Sequence, residues 1–192
     1  PRRRLPRRLP PKHRHNRGIV VSSALVKNLQ RVQVQLSQLK HRALEILRRS
    51  PRGKDTDFRE HQWESIKTLV EDQARLLLIQ RTGWGKSAVY FTATNLLRAQ
   101  GRGPTIIISP LLALMRNQID TALSYGVRLE TINSEKDRDE NKQTGKDLVN
   151  DQLDAIIISP EKLADPLLRE EVLLPIAGTV GLLVVDEAHC IS

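Results

Sequence analysis

The chain has 192 residues, 39% hydrophobic and 28% charged, which is enough for one globular core with extensions and too little for two full lobes. Its net charge of +9 is uneven: residues 1–54 carry sixteen Lys and Arg against the single acid Glu45, a balance of +15, so residues 55–192 sum to −6. One cysteine, Cys190, excludes an intramolecular disulfide and fits a reducing compartment, and the uncharged stretch near the end, residues 173–185, is broken by Pro175 and Gly178 and too short to span a bilayer.

In chain order, residues 1–18 are rich in Arg and Pro and almost devoid of apolar side chains, so they cannot bury enough surface to offset the entropy of ordering. They read as a disordered basic tail, either a phosphate-neutralising arm or a passive extension. His13 and His15 lack further ligands for a metal site, and the tail has no apolar core of a secretion signal. Leu29, Val32, Leu36, Leu39, Ala43 and Ile46 then recur at spacings of three and four, which predicts a helix with one apolar seam. The seam covers fewer than three heptads, so packing on the following lobe is expected rather than a coiled coil. Residues 49–57, with Pro51 and Gly53, read as a linker. The expected organisation is therefore a tail at 1–18, a helical extension and linker at 19–54, and a lobe at 55–192.

Within that lobe, short apolar runs at 76–79, 105–108, 155–158 and 182–185 alternate with helical or polar segments, predicting a parallel α/β sheet with crossover helices. Phosphates bind at strand C-termini in such sheets. Two motifs stand at such ends. The first, residues 80–87, reads Gln-Arg-Thr-Gly-Trp-Gly-Lys-Ser, and a helix is expected near 88–99. A triphosphate is held by backbone N–H groups of a tight loop and by the N-terminus of the next helix. Thr82 belongs to this loop, Gly83 and Gly85 allow positive φ and close backbone approach, Lys86 can reach the β and γ phosphates, and the Ser87 hydroxyl can ligate Mg²⁺. The generic phosphate-loop pattern has glycine where this chain has Gln80. The second motif is Asp186-Glu187-Ala188-His189, after the run 182–185: Asp186 is expected to hold Mg²⁺ and Glu187 to polarise the attacking water. No His-Glu-x-x-His spacing occurs, which argues against zinc chemistry. Residues 133–151, rich in Lys, Asp, Glu and Asn, are expected to form an exposed loop and helix.

Asp186-Glu187-Ala188-His189-Cys190-Ile191-Ser192 resembles motif II of RecQ-type DNA helicases, which are superfamily 2 motors. Phe58-Arg59-Glu60-His61-Gln62 resembles that family's adenine-recognition segment, and Ser109-Pro110-Leu111-Leu112-Ala113-Leu114-Met115, with Gln118, its motif Ia. Thr131-Ile132-Asn133-Ser134 and Ser159-Pro160-Glu161-Lys162-Leu163 resemble its next two blocks, so the likeness covers about residues 55–192. Where the family carries an aromatic residue four positions before the arginine, this chain has Asp55.

The resemblance implies a RecA-like lobe, incomplete at its C-terminus, from an ATP-dependent 3′ to 5′ DNA helicase of repair and recombination, with ATP and Mg²⁺ as cofactors. It implies that Gln62 reads the adenine edge with Arg59 against the ring, and that His189 couples the ATP and DNA sites. Ser109, Pro110, Asn133 and Ser134 are implied to lie near a single-stranded DNA track, with DNA junctions among the partners. It further implies a strand carrying motif III between the phosphate-loop and motif II strands, and a second lobe supplying an arginine finger. The expected location is cytoplasmic, at the nucleoid in a bacterium, or nuclear in a eukaryote. Two alternatives stand beside it: a lobe that binds ATP or nucleic acid without turnover, and an RNA helicase of the Asp-Glu-Ala-Asp kind. The latter carry Pro-Thr-Arg-Glu-Leu in motif Ia, where this chain has Ser-Pro-Leu-Leu-Ala-Leu.

Overall fold

The computed structural model describes residues 22–50, 53–110 and 112–187, and of residues 112–114 the backbone only. The basic tail, His189 and Cys190 lie outside the described residues. The chain divides into two units, Pro1–Leu36 and Ser37–Ser192. The predicted seam helix forms as α1 (Ser23–Arg49), whose last turn holds Arg48 and Arg49, a favourable sign at a helix C-terminus. In the first unit Leu25, Leu29 and Val32 are exposed. In the second, Leu39, Ala43, Ile46 and Leu47 are buried in the main core cluster, as expected for a helix packed on its lobe.

The second unit is built on a four-stranded, wholly parallel sheet: β1 (Thr105–Ile108), β2 (Leu129–Ile132), β3 (Ala155–Ile158) and β4 (Leu182–Val185), in the order β2-β3-β1-β4. Strand periodicity assigns its faces. Ile107 and Ile157, in register, enter one core cluster with the end of α1, α2 (Gln62–Val70), α3 (Lys86–Ala99) and α4 (Leu112–Ser124). Ile106, Ile156 and Ile158 enter the other, with Leu148 of α5 (Arg138–Val149) and with Leu168, Val172 and Ile176 from short helical turns at Pro166–Leu168, Arg169–Leu173 and Leu174–Ile176. The result is a three-layer α/β/α lobe.

Three of the four expected strands are β1, β3 and β4. The fourth is not: residues 73–80 take no strand conformation, and Leu77 and Ile79 are 80% and 81% exposed. An apolar run becomes a strand only when a neighbour takes its backbone N–H and C=O groups. The neighbour of this run is not among the described residues: β4 pairs with β1 alone, and Leu183 and Val185 on its other face are exposed. β2 is a strand beyond the four expected, because Leu129-Glu130-Thr131-Ile132 is too polar to stand out as an apolar run. The polar stretch 133–151 does form a loop and a helix, α5 opening with a capping box between Asp137 and Glu140.

The N-terminal edge of the sheet is tied by Asp154. Its carboxylate accepts from the Arg128 amide at 2.9 Å, from Arg128 Nε and Nη2 at 2.9 and 2.8 Å, and from Arg98 Nε at 3.2 Å. Burial alone raises a carboxyl pKa, but the bonds from Arg128 and Arg98 outweigh it and hold Asp154 below the usual carboxylate range. Asp154→Ala is therefore expected to cost about 1.5 to 3 kcal/mol, the range for hydrogen bonds to a charged group, read by urea denaturation. Because the folded-state pKa is depressed, this stability is present above the ordinary Asp value and lost as pH falls through the folded one. The difference between wild type and variant should shrink in acid; a difference independent of pH would refute the charge argument.

Candidate nucleotide-binding site

Gly83 and Gly85 have φ of 78° and 104°, and α3 begins at the next residue, Lys86. A Cβ on Gly83 would meet nothing within 4 Å, so backbone conformation rather than crowding calls for glycine there. The free N–H groups and positive end of α3 thus point back into the loop. α3 is anchored firmly, since Ala88 to Thr94 are all buried, and burying a large apolar side chain such as Phe91 contributes about 1.5 to 3 kcal/mol. Trp84, between the two glycines, is buried in the same core, which anchors the loop from within.

Lys86 Nζ donates to the Gln80 carbonyl at 3.3 Å. Only the backbone of Gln80 is used, which gives a physical reason why a side chain is tolerated where the generic pattern has glycine. Ser87 Oγ accepts from the Tyr90 hydroxyl at 3.1 Å. Burial first, and then the nearby Asp186 carboxylate, push the Tyr90 phenol above its ordinary pKa, so it stays protonated and remains a donor. Ser87 keeps its own proton and a further lone pair for a ligand. Tyr90 is a site residue that motif reading missed; its position one helical turn after Ser87 was the available signal.

Arg59 donates to the Gly83 carbonyl, and Gln62, 1% exposed, donates through Nε2 to Trp84 O at 3.2 Å and Gly85 O at 3.4 Å. Its Oε1 accepts from the Arg59 amide at 2.9 Å. Segment 58–62 and the phosphate loop are therefore one hydrogen-bonded unit, in which both ends of the Gln62 amide hold loop and segment together.

The opposite wall is β4. The Asp186 amide donates to Ile108 O at 2.8 Å, continuing the β1–β4 ladder by one residue, and the Glu187 amide donates to Asp186 Oδ1 at 3.1 Å. Glu187 has φ of 48°, so the chain turns left-handed as it leaves the strand. Gln118 Nε2, from α4, donates to Asp186 Oδ2 at 3.3 Å. This bond ties the carboxylate to the helix that follows Ser109-Pro110, and only the folded chain could reveal it. Between the walls lies a cleft of about 570 Å³ that reaches Thr82, Lys86, Asp186 and Glu187. Among the described residues no cluster of three or more His, Cys, Asp or Glu could hold a metal. Mg²⁺ needs none, since it takes one or two protein ligands beside phosphate oxygens and water. Ser87 and Asp186 fit that demand.

The residues expected near nucleic acid occupy the same end of the sheet. Ser109 follows β1 with its Oγ buried and unpartnered among the described residues, and Pro110 is half-buried. Asn133 follows β2, but its Oδ1 accepts from the Glu135 and Lys136 amides at 2.9 and 3.1 Å, so its side chain shapes the loop, while Ser134 is exposed. His189 lies outside the described residues.

A parallel sheet with a glycine-turned phosphate loop facing paired carboxylates defines a nucleoside-triphosphate-binding lobe of the RecA-like kind. The chain belongs to the DEAD/DEAH box helicase family, whose profile matches residues 59–192. Among curated relatives it is 31% identical over 137 residues to ATP-dependent helicase SGS1 of Saccharomyces cerevisiae, covering 70% of this chain and 9% of that protein. It is 32% and 33% identical to the ATP-dependent DNA helicases RecQ of Haemophilus influenzae and Bacillus subtilis, each alignment covering 70% of this chain. The chain thus spans only 20% and 22% of those two proteins. A crystal structure described as a hypothetical ATP-dependent RNA helicase from Sulfolobus tokodaii superposes with a TM-score of 0.55 over 71% of this chain and 38% of that one, at 17% identity, a likeness of fold. Among the described residues no helix is long and apolar enough to cross a membrane.

Proposed function

We propose that this chain is the ATP-binding part of a RecQ-like, ATP-dependent DNA helicase that moves 3′ to 5′ along single-stranded DNA and serves repair and recombination. The observation that carries the reading is the cleft itself, with Lys86 on one side and Asp186 and Glu187 on the other, and with Ser87 next to Lys86 and bonded to Tyr90 of the cleft wall. When bound, Mg²⁺ would offset the charge of the triphosphate and orient its terminal phosphate. Ser87 and Asp186 would hold that ion, Lys86 would exchange the Gln80 carbonyl for phosphate oxygens, and Glu187 would orient the attacking water. Thr82, Gly83 and Gly85 supply backbone N–H groups. His189 would pass the state of the nucleotide to the DNA site.

DNA is favoured over RNA by the motif Ia residues and by the two RecQ relatives, which are DNA helicases. On this reading its expected location is the cytoplasm, at the nucleoid in a bacterium, or the nucleus in a eukaryote. The test is ATP turnover, by a chain extended through a second lobe, with single-stranded DNA and RNA of one sequence. Stronger stimulation by DNA is expected; stronger stimulation by RNA would overturn the assignment.

The resemblance assigns Gln62 to the adenine edge, and the structure gives its amide a second duty to the loop. Gln62→Ala is expected to bring ATP and GTP affinities together and to weaken both, since buried groups left unmatched cost about 1 to 3 kcal/mol. Calorimetry with both nucleotides separates the two effects: full retention of ATP preference, with both affinities lowered, would leave Gln62 a loop brace and remove the adenine role.

A further inference from the structure

At the opposite edge of the sheet from the cleft, a second pocket of about 440 Å³ opens at the C-terminal ends of β2 and β3. Its rim carries five cations, Lys136, Arg138, Lys142, Lys146 and Lys162, against two carboxylates, Asp165 and Glu171, whereas residues 55–192 as a whole sum to −6. So concentrated an excess in an acidic lobe is a local feature of the surface. Three of the cations have partners: Lys136 with Glu130 at 2.8 Å, Lys162 with Asp165 at 3.5 Å and Lys142 with Glu171 at 3.7 Å. Arg138 and Lys146 make no ion pair among the described residues.

The arrangement is ordered as well as charged. Arg138, Lys142 and Lys146 recur every fourth residue of α5, so they share one face and step about 6 Å along its axis. That step is comparable to the spacing of successive phosphates along an extended nucleic-acid strand. A free phosphate would engage one step and leave the others unused. Beneath them Ile132, Leu168 and Val172 form an apolar floor that holds α5 against the turns at 166–176, so the cations stand on a packed surface rather than a mobile loop. Between this pocket and the cleft, at the same end of the sheet, the buried hydroxyls of Ser109 and Ser159 have no partner among the described residues.

We infer that this pocket is a phosphate-binding subsite for a polynucleotide strand, its backbone lying along Arg138, Lys142 and Lys146. The inference rests on the nucleic-acid-binding reading above and adds to it a contact region at the far edge of the sheet.

The experiment measures binding of a labelled oligothymidylate to the full 192-residue chain across a salt series, with inorganic phosphate and polyglutamate as further probes. Arg138→Gln with Lys146→Gln removes two unpaired cations. Arg75→Gln with Arg102→Gln removes two exposed cations elsewhere and serves as control. For single strands each neutralised phosphate contributes about −0.7 to the slope of log K against log salt, so the pocket pair should flatten the slope by about 1.4 and the control pair by far less. Equal flattening by both pairs would show diffuse charge and overturn the subsite, as would an unchanged slope in the pocket pair. Loss of phosphate or polyglutamate binding with oligonucleotide binding intact would make it a small-anion or acidic-peptide site, again overturning the proposal. If the wild-type chain binds no oligonucleotide at all, the nucleic-acid reading falls with it, an outcome distinct from wild-type binding that ignores the pocket.

Discussion

Lys86→Ala is expected to abolish measurable magnesium-ATP binding. The lysine is the loop's own ammonium, and in the free structure it rests on the Gln80 carbonyl at 3.3 Å, a neutral partner it can leave at small cost. On phosphate oxygens it would make charge-assisted bonds, each contributing about 1.5 to 3 kcal/mol, so losing two lowers affinity roughly 10²- to 10⁴-fold. Among the described residues, Arg81, the other cation lining the cleft, lies before the two glycines rather than at the start of α3, and Arg59 is engaged by the Gly83 carbonyl. Calorimetry on wild type and variant, with circular dichroism to verify the fold, reads the effect. Equal affinity would remove the phosphate-loop assignment. Glu187→Gln, given its proposed role in orienting the water, should behave differently: ATP binding retained, and hydrolysis lost in a chain extended through a second lobe.

The cleft was legible from residues 82–87 and 186–187 because both walls are made of local motifs, in which short spacing fixes the geometry of loop and strand end. Three strands were legible for a related reason, as each is a short, largely apolar run of the kind a parallel sheet buries, β4 on one face only. What stayed hidden depends on partners remote in sequence. Gln118 meets Asp186 across 68 positions, and Gln62 reaches Gly85 across 23, so neither contact has a local signature. β2 was hidden by Glu130, which stays half-exposed by pairing with Lys136. Residues 76–79 mislead for the opposite reason: their composition is that of a buried strand, but composition does not supply the neighbour that makes one.

The exposed run and the bare edge of β4 bear on activity. Leu77 and Ile79 on one wall of the cleft and Leu183 and Val185 on the other are large apolar side chains left open, and unpaired strand edges favour self-association. The described cleft brings Lys86, Asp186 and Glu187 together with Ser87 beside them, the groups proposed above for phosphate, Mg²⁺ and water. Charge developing on the transferred phosphoryl group calls for a further cation, and an arginine finger contributes about 10³ to 10⁵ in rate in P-loop GTPases. Residues 1–192 alone are therefore expected to bind nucleotide yet turn over ATP at least about 10³-fold more slowly than a chain extended through a further strand and a second lobe, and to unwind no duplex. Steady-state turnover with and without single-stranded DNA, beside a strand-displacement assay, measures both. The extended chain should also elute as a sharper, smaller species per residue in size-exclusion chromatography, because the open edges are then covered. Comparable turnover by the short chain would show that its own groups complete the site, and failure of the extended chain to hydrolyse ATP would overturn the helicase reading.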